Sequence, residues 1–456
     1  MPFSRLREKV PEGRMRVFFP LELPPRPRQS RVHRETLEIW EFRSMSEHFD
    51  DLETRDPQQR ESALMAALPK QIAHVKANAP YFAAKFKDVD AASVNSRAAL
   101  AKLPVTRKSS LLEQQRGNPP FGGMNGVPIG KLAHIYMSPG PIFEMDAEGR
   151  DFWRGARAMY AAGFRAGDIV HNTFSYHLVP AGLMMESSAR AIGCPVIPAG
   201  VGNTEMQLDI IERVKPAAYA GTPSFLKILL EKGRELGRDV SSLKKALVGA
   251  EALPPVLRKE FMDRGVFTLQ SYGTADLGTI AYESKAMEGM ILAEDIIVEI
   301  VRPGTNDPVP EGEVGEVVVT ALNPVYPLIR FGTGHLYAIL PGRSPAGRTN
   351  TRIKGWMGRA DQRTKVKGMF VDPEQVIQVQ KRHAELGKVR LVVDWQNQAD
   401  VMTLHAEVKD GGSADLASAV EASIQNLCKV RGKVKFVAPG SLANDGKVID
   451  DIRKYE

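Results

Sequence analysis

The 456 residues are 43 % hydrophobic and 25 % charged, the balance of a soluble globular chain rather than a disordered one. No run approaches the ~18 uninterrupted apolar residues of a membrane helix, and the two cysteines, Cys194 and Cys428, exclude a disulfide scaffold or a four-cysteine zinc site and suit a reducing, cytoplasmic setting. Lys and Arg exceed Asp and Glu by 61 to 54, but residues 1–34 hold nine basic residues against three acidic ones, so six of the seven net positive charges belong to that segment.

Residues 1–50 form a basic, Pro-rich N-terminal extension. Pro2, Pro11, Pro20, Pro24, Pro25 and Pro27 argue against a helix in it. It lacks the apolar core of a secretory signal and carries three glutamates, unlike a transit peptide. It reads as a solvated or surface-wrapped arm, with no partner among nucleic acids or membranes. A helix follows over 58–79 and stops at Pro80. From about residue 150 helices and short apolar strands alternate. A helix at 150–162 precedes a strand at Asp168–Asn172, and a helix at 181–192 precedes Cys194–Pro198. Thr204 and Gln207 have the spacing of a capping box and open a helix to Val214. Then come the strand Ala217–Ala220, a helix over 224–236, the strand Ala246–Gly249, a helix started by Pro254–Pro255 and the strand Phe267–Gln270. This alternation implies parallel strand pairing in an α/β domain. After residue 290 the segments Asp295–Val301 and Glu313–Thr320 alternate as strands about a Pro/Gly turn. Past Gly358 the strand Val401–Val408, a helix over 414–428 and the strand Lys433–Val437 make a compact α+β unit.

Four segments carry chemistry. Ser271-Tyr272-Gly273-Thr274-Ala275-Asp276 follows a strand; its glycine allows close approach to a ligand, and its acid suits Mg²⁺, though a tight turn reads the same way. Gly249-Ala250-Glu251 is a strand-to-helix turn. Tyr326-Pro327-Leu328-Ile329-Arg330-Phe331-Gly332-Thr333-Gly334-His335 is the third. The fourth is Gly358-Arg359-Ala360-Asp361 with Lys365, Lys367 and Gly368, followed near the end by Asp445-Gly446-Lys447.

In order and spacing these segments, with Gly202-Asn203-Thr204 and Thr222-Pro223-Ser224, resemble the phenylacetate–CoA ligase branch of the adenylate-forming enzymes over roughly residues 58–456. The resemblance implies an ATP-dependent acid–CoA ligase acting on an aryl or arylacetic acid through an acyl adenylate, releasing AMP and pyrophosphate. Its substrates and cofactors would be a small carboxylic acid, ATP, Mg²⁺ and coenzyme A. By the same resemblance Ser271, Tyr272, Gly273 and Thr274 contact the nucleotide, and Asp276 is a shortened form of the Mg²⁺-binding acid. Gly249, Ala250 and Glu251 lie against the adenine. Arg359 contacts ribose and phosphate, Asp361 marks a hinge, and Lys447 is the mobile catalytic lysine.

Two departures stand out. The family's Ser/Thr/Gly-rich phosphate loop with its lysine is replaced by Tyr136-Met137-Ser138-Pro139-Gly140-Pro141. Each proline removes an N–H, leaving Ser138 and Gly140 as donors or the stretch as only a rigid turn. His335 stands where an aspartate accepts both ribose hydroxyls, and a neutral imidazole accepts at one nitrogen only. The acid pocket draws on Tyr136, Phe174 and Tyr176, whose rings could stack on an aromatic acid or equally pack in the core.

The expected architecture is a large N-terminal AMP-binding α/β domain over 51–357, with parallel sheets and a β-rich part, and a small mobile α+β domain over 358–456. The oligomeric state stays open, a homodimer included. Two other readings compete: an adenylylating ligase with a different acceptor, of the deazaflavin-cofactor type, and a nucleotide-binding relative of low turnover.

Overall fold

The computed structural model describes residues 47–138, 141–355, 357, 362, 364–366, 369–396 and 399–453. Helix α1 (Pro57–Asn78) begins where the Asp56 carboxylate accepts from the amides of Gln58 and Gln59, with Pro57 supplying the first turn. Leu64, Leu68, Ile72 and Val75 form its buried stripe and enter a core shared with later strands. Residues 47–50, assigned to the extension on sequence, pack on the body: Asp50 takes two hydrogen bonds from Arg157, at 2.6 and 3.1 Å.

Strand β1 (Thr106–Arg107) precedes a hairpin of β2 (His134–Ser138) and β3 (Ile142–Asp146). The alternation that follows is β4 (Val170–Asn172), α2 (Ala181–Ile192), β5 (Val196–Pro198), α3 (Thr204–Val214), β6 (Ala218–Gly221), α4 (Pro223–Glu235), β7 (Lys245–Val248), α5 (Pro255–Asp263) and β8 (Phe267–Thr274). Strands β5, β4, β6, β7 and β8 are all parallel neighbours, in that order. The expected α/β domain with parallel pairing is therefore present. Beyond β8 the same sheet turns antiparallel through β9 (Gly278–Tyr282) and β10 (Met290–Leu292). Strands β11 (Ile296–Val301), β12 (Gly315–Ala321) and β13 (Phe331–Tyr337) form a second sheet, with β1 parallel to β13 at its edge. Strands β14 (Ile339–Leu340) and β15 (Arg352–Ile353) return to the first sheet beside β10.

Strands β16 (Thr364–Val366) and β17 (Met369–Val371) pair with each other. Helix α6 (Pro373–Arg382), strands β18 (Val389–Gln396) and β19 (Ala399–Glu407), helix α7 (Ala414–Cys428) and strands β20 (Lys433–Val437) and β21 (Ile449–Asp451) complete the chain, the last four strands in the order β20-β19-β18-β21. Their hydrophobic cluster is drawn only from residues 366–449.

Two local expectations need correction. The helix expected over 150–162 is confined to Ala156–Ala161. Asp151 and Arg154 have left-handed backbones, and the Asp151 carboxylate caps the helix by accepting from the amides of Gly155 and Ala156. The Thr204–Gln207 capping box is not made. Asn203 precedes α3 in a left-handed conformation, while the Gln207 amide donates to the carbonyls of Gly200 and Gly202 and accepts from the buried His171 ring at 2.8 Å.

Candidate active site

The C-terminal ends of parallel strands leave backbone groups and loop side chains facing one crevice. Here β8 ends in Ser271-Tyr272-Gly273-Thr274. A Cβ at Gly273 would meet the Gly278 carbonyl oxygen at 2.6 Å, so the reversal into β9 requires a glycine. The Thr274 hydroxyl accepts from the Leu277 amide at 3.2 Å and tightens the turn that sets Asp276.

Tyr272 is buried, and burial pushes its hydroxyl well above the usual tyrosine range. Its ring stacks on Tyr337 with centroids 4.6 Å apart. The Thr333 hydroxyl donates to the Val317 carbonyl, so it accepts the Tyr272 proton at 3.1 Å. Nδ1 of His335 then donates to the Tyr272 oxygen at 3.2 Å, which in a neutral ring leaves the lone pair on Nε2. The segments at the end of β8 and in β13, about sixty residues apart in sequence, thus meet through Tyr272, Thr333 and His335.

Asp276 is 3 % exposed. Its Oδ2 accepts from the Lys108 ammonium, while Oδ1 is buried and meets no donor among the described residues. A lone carboxylate oxygen with no donor suits a hard divalent cation, so the residues present fit Mg²⁺. Glu144 is fully buried on β3. Its two oxygens accept from the hydroxyl and, at 3.1 Å, the amide of Ser138. Burial first, and the Asp276 charge second, push its carboxyl up to about 7. The buried Tyr326 hydroxyl, raised by burial and then by the charges of Asp276 and Glu144, also lacks a partner among the described residues.

Lys108 and Glu144 escaped the sequence reading. Strands β2 and β3 pair antiparallel, with Tyr136 facing Glu144 and Ser138 facing Ile142. Reading Pro139 and Pro141 as the turn of a hairpin would have set Ser138 and Glu144 on one face. Lys108 carried no local signal, since its partner lies 168 residues away. Of the expected donors, Ser138 is committed to Glu144; Gly140 lies outside the described residues, as do Arg359 and Asp361.

The other expected contacts fall into two groups. Glu251 accepts from the Ser224 hydroxyl at 3.0 Å and its amide at 3.3 Å, joining the Gly-Ala-Glu and Thr-Pro-Ser segments. Thr222 caps α4 there by accepting from the Phe225 amide. Ala250 sits at φ 64°, a left-handed position a non-glycine residue seldom takes. A Cβ at Gly249 would meet Ser271 at 3.4 Å and the Phe174 ring at 3.9 Å, which sets these three side by side. Tyr136 and Phe174 share one buried cluster with Trp153, and the Tyr136 hydroxyl donates to Asp146 at 2.6 Å. Tyr176 accepts from the Asn172 amide at 2.7 Å.

Lys447 is exposed, and its ammonium donates to Asp450 at 2.8 Å. Its neighbour Gly446, at φ 72°, lies so close to β13 that a Cβ would stand 2.8 Å from Val314 and 3.1 Å from Leu336, the residue after His335.

Residues 151–323 match the family described as AMP-binding enzyme. The chain is 30 % identical over 394 residues to a phenylacetate-coenzyme A ligase of Aromatoleum evansii, covering 81 % of this chain and 88 % of that protein. It is 29 % identical over 378 residues to one of Thermus thermophilus, covering 79 % and 84 %. Among solved structures, the open conformation of a 2-hydroxyisobutyryl-CoA ligase in complex with its acyl-AMP and CoA superposes with a TM-score of 0.66 at 25 % identity, covering 88 % of this chain and 92 % of that one.

Proposed function

The chain belongs to the phenylacetate–coenzyme A ligase family of adenylate-forming enzymes, and from that membership we propose that it joins an aryl or arylacetic acid to coenzyme A in two steps. In the first, a carboxylate oxygen of the acid attacks the α-phosphorus of ATP and the bond to the pyrophosphate oxygen breaks. In the second, the coenzyme A thiolate attacks the acyl carbon and AMP leaves with the bonding pair, giving the thioester. The observation that carries the reading is the meeting of two nucleotide-type segments through Tyr272, Thr333 and His335, with Asp276 at the next turn.

Such chemistry depends mainly on positioning and charge neutralisation. The buried Tyr272–Tyr337 stack and the exposed Gly273 turn support the nucleotide. His335, standing where the family has an aspartate, offers one ribose hydroxyl contact where an aspartate would offer two. Asp276 would hold Mg²⁺, which would supply compact positive charge there. Lys447 serves the first step, Arg359 the ribose and phosphate, and Asp361 a hinge ahead of a C-terminal domain with its own core. Tyr136, Phe174 and Tyr176 border the acid. Both cysteines are buried and free, which agrees with a cytoplasmic home, and no described helix is long and apolar enough to cross a membrane.

The test is pyrophosphate exchange over a panel of aliphatic and aromatic acids, followed by addition of coenzyme A. Exchange dependent on an aryl or arylacetic acid, with thioester appearing on addition of coenzyme A, is expected. Exchange without thioester moves the acceptor away from coenzyme A. No exchange with any acid overturns the adenylation reading.

A further inference from the structure

Lys447 is exposed, yet the backbone that carries it is held from both sides. Gly446 before it lies at φ 72°, a left-handed conformation that favours glycine. The Asp445 carboxylate accepts from the Lys447 amide at 3.1 Å and from the Arg390 guanidinium. The other clamp is a single side chain, Gln362. Its Nε2 donates to the Gly446 carbonyl at 3.0 Å, and its Oε1 accepts from the amides of Val448 and, at 2.8 Å, Ile449. One carboxamide thus brackets Lys447, bonding the residue before it and the two after it. The partners fix which end is which, because two N–H donors demand the oxygen and a carbonyl demands the nitrogen. A carboxylate of the same length would set an acceptor against the Gly446 carbonyl, and an apolar chain would serve none of the three groups.

Gln362 directly follows Asp361, the residue read as the hinge. Two positions further on, the Thr364 hydroxyl donates at 2.6 Å to the carboxylate of Asp451, on the strand β21 that Lys447 leads into. The segment just past the hinge is therefore laced to the Lys447 loop at one point and to its following strand at another. We propose that Gln362 is the positioning residue for Lys447, fixing the lysine backbone to that segment so that hinge and lysine move as one piece. The proposal rests on the role given to Lys447 above. Gln362 touches neither nucleotide nor acid and acts through the lysine. The effect is large for a charge aimed at a transition state, since a misplacement of ~1 Å can cost about 10²-fold in rate.

The test is a double-mutant cycle on acyl-adenylate formation. Rates are measured by rapid quench over a range of ATP, with an acid active in pyrophosphate exchange, and thermal unfolding is followed alongside. Gln362→Met keeps the length of the side chain and removes all three hydrogen bonds. It should slow adenylation about 10- to 100-fold at saturating ATP, with the KM for ATP unchanged. In the Lys447→Ala background the same change should cost less than about twofold, because the lysine it positions is gone. An unchanged rate in Gln362→Met, a loss in KM rather than in the saturated rate, or an equal loss in the Lys447→Ala background overturns the proposal and leaves Lys447 standing. Should Lys447→Ala itself adenylate at the wild-type rate, the role of Lys447 falls and the proposal with it. If Gln362→Met does not fold, the cycle is run with Gln362→Glu, which keeps both amide contacts and loses the one to Gly446. A loss confined to the protein that retains Lys447 is expected there; no loss, or one that persists without the lysine, overturns the proposal.

Discussion

Arg330 lies inside the third motif, yet the structure gives it to the fold. It is completely buried, at φ 44°, and all five of its guanidinium N–H groups are engaged. Two reach Glu299 at 2.9 and 3.0 Å, and the others reach the carbonyls of Ala101 at 2.8 Å, Asn306 at 2.9 Å, and Leu103. Replacing Arg330 by Met leaves Glu299 buried without its counter-charge and strips three carbonyls of their donors. Removing one partner of such a pair costs about 3–5 kcal/mol. Arg330→Lys should fall between, since three donors on one point cannot serve five fixed acceptors. Urea unfolding of wild type and variants measures this directly. The loss should also depend on pH. Burial raises the Glu299 carboxyl and Arg330 pulls it back, so without Arg330 it rises further. A carboxyl raised in the folded state favours folding below its unfolded value, and that advantage disappears as pH climbs through the folded value. The deficit of Arg330→Met should therefore shrink from pH 8 towards pH 5. A deficit below about 1 kcal/mol, or one that does not change with pH, would refute the reasoning, since it would put the pair among weak exposed ones.

Three further outcomes follow from the structure. Asp276→Asn should abolish acyl-adenylate formation while the circular dichroism spectrum stays wild type; adenylation at an unchanged rate removes Asp276 from the metal site. Lys447→Ala should slow adenylate formation by about 10²–10³ and spare thioester formation from a supplied acyl adenylate, measured by stopped-flow of each half-reaction. Because Lys447 is exposed and its ammonium pairs with Asp450, a fall in both half-reactions would count against its role in the first step alone. Lys85 is depressed to about 8, first by burial and then by Arg107 and Arg330. A lysine depressed in the folded state favours folding above its unfolded value and loses that benefit as pH falls through the folded one. Wild type should gain stability relative to Lys85→Met as pH rises from 8 to 10, and parallel stability curves would contradict the shift.

What the sequence disclosed was whatever is written locally. The parallel strands β4 to β8 announced themselves as short apolar runs between helices, with Pro80 stopping one helix and Pro254–Pro255 starting another. Gln207 was misread because spacing alone cannot tell whether an amide reaches back to its own N-terminus or across to His171. The Asp276 cluster was half visible. The acid sat in a motif, but Lys108 comes to it from 168 positions away, and only the folded chain brings them together. The masking of one carboxylate by Ser138 was hidden for the same reason.

The seam between Gly446 and β13 has a mechanical consequence. On one side stands a backbone with no side chain, on the other the methyl groups of Val314 and Leu336. The hydrogen bond from the Val314 amide to Asn444 is long, at 3.3 Å, and the charged contacts across the same seam, Lys381 to Asp307 and Arg107 to Glu374, are spaced at 3.6 and 3.8 Å. Pairs of that kind contribute about 0–1 kcal/mol each. At Gly446 the two surfaces meet with no room for a methyl group, so any larger residue there would have to push them apart.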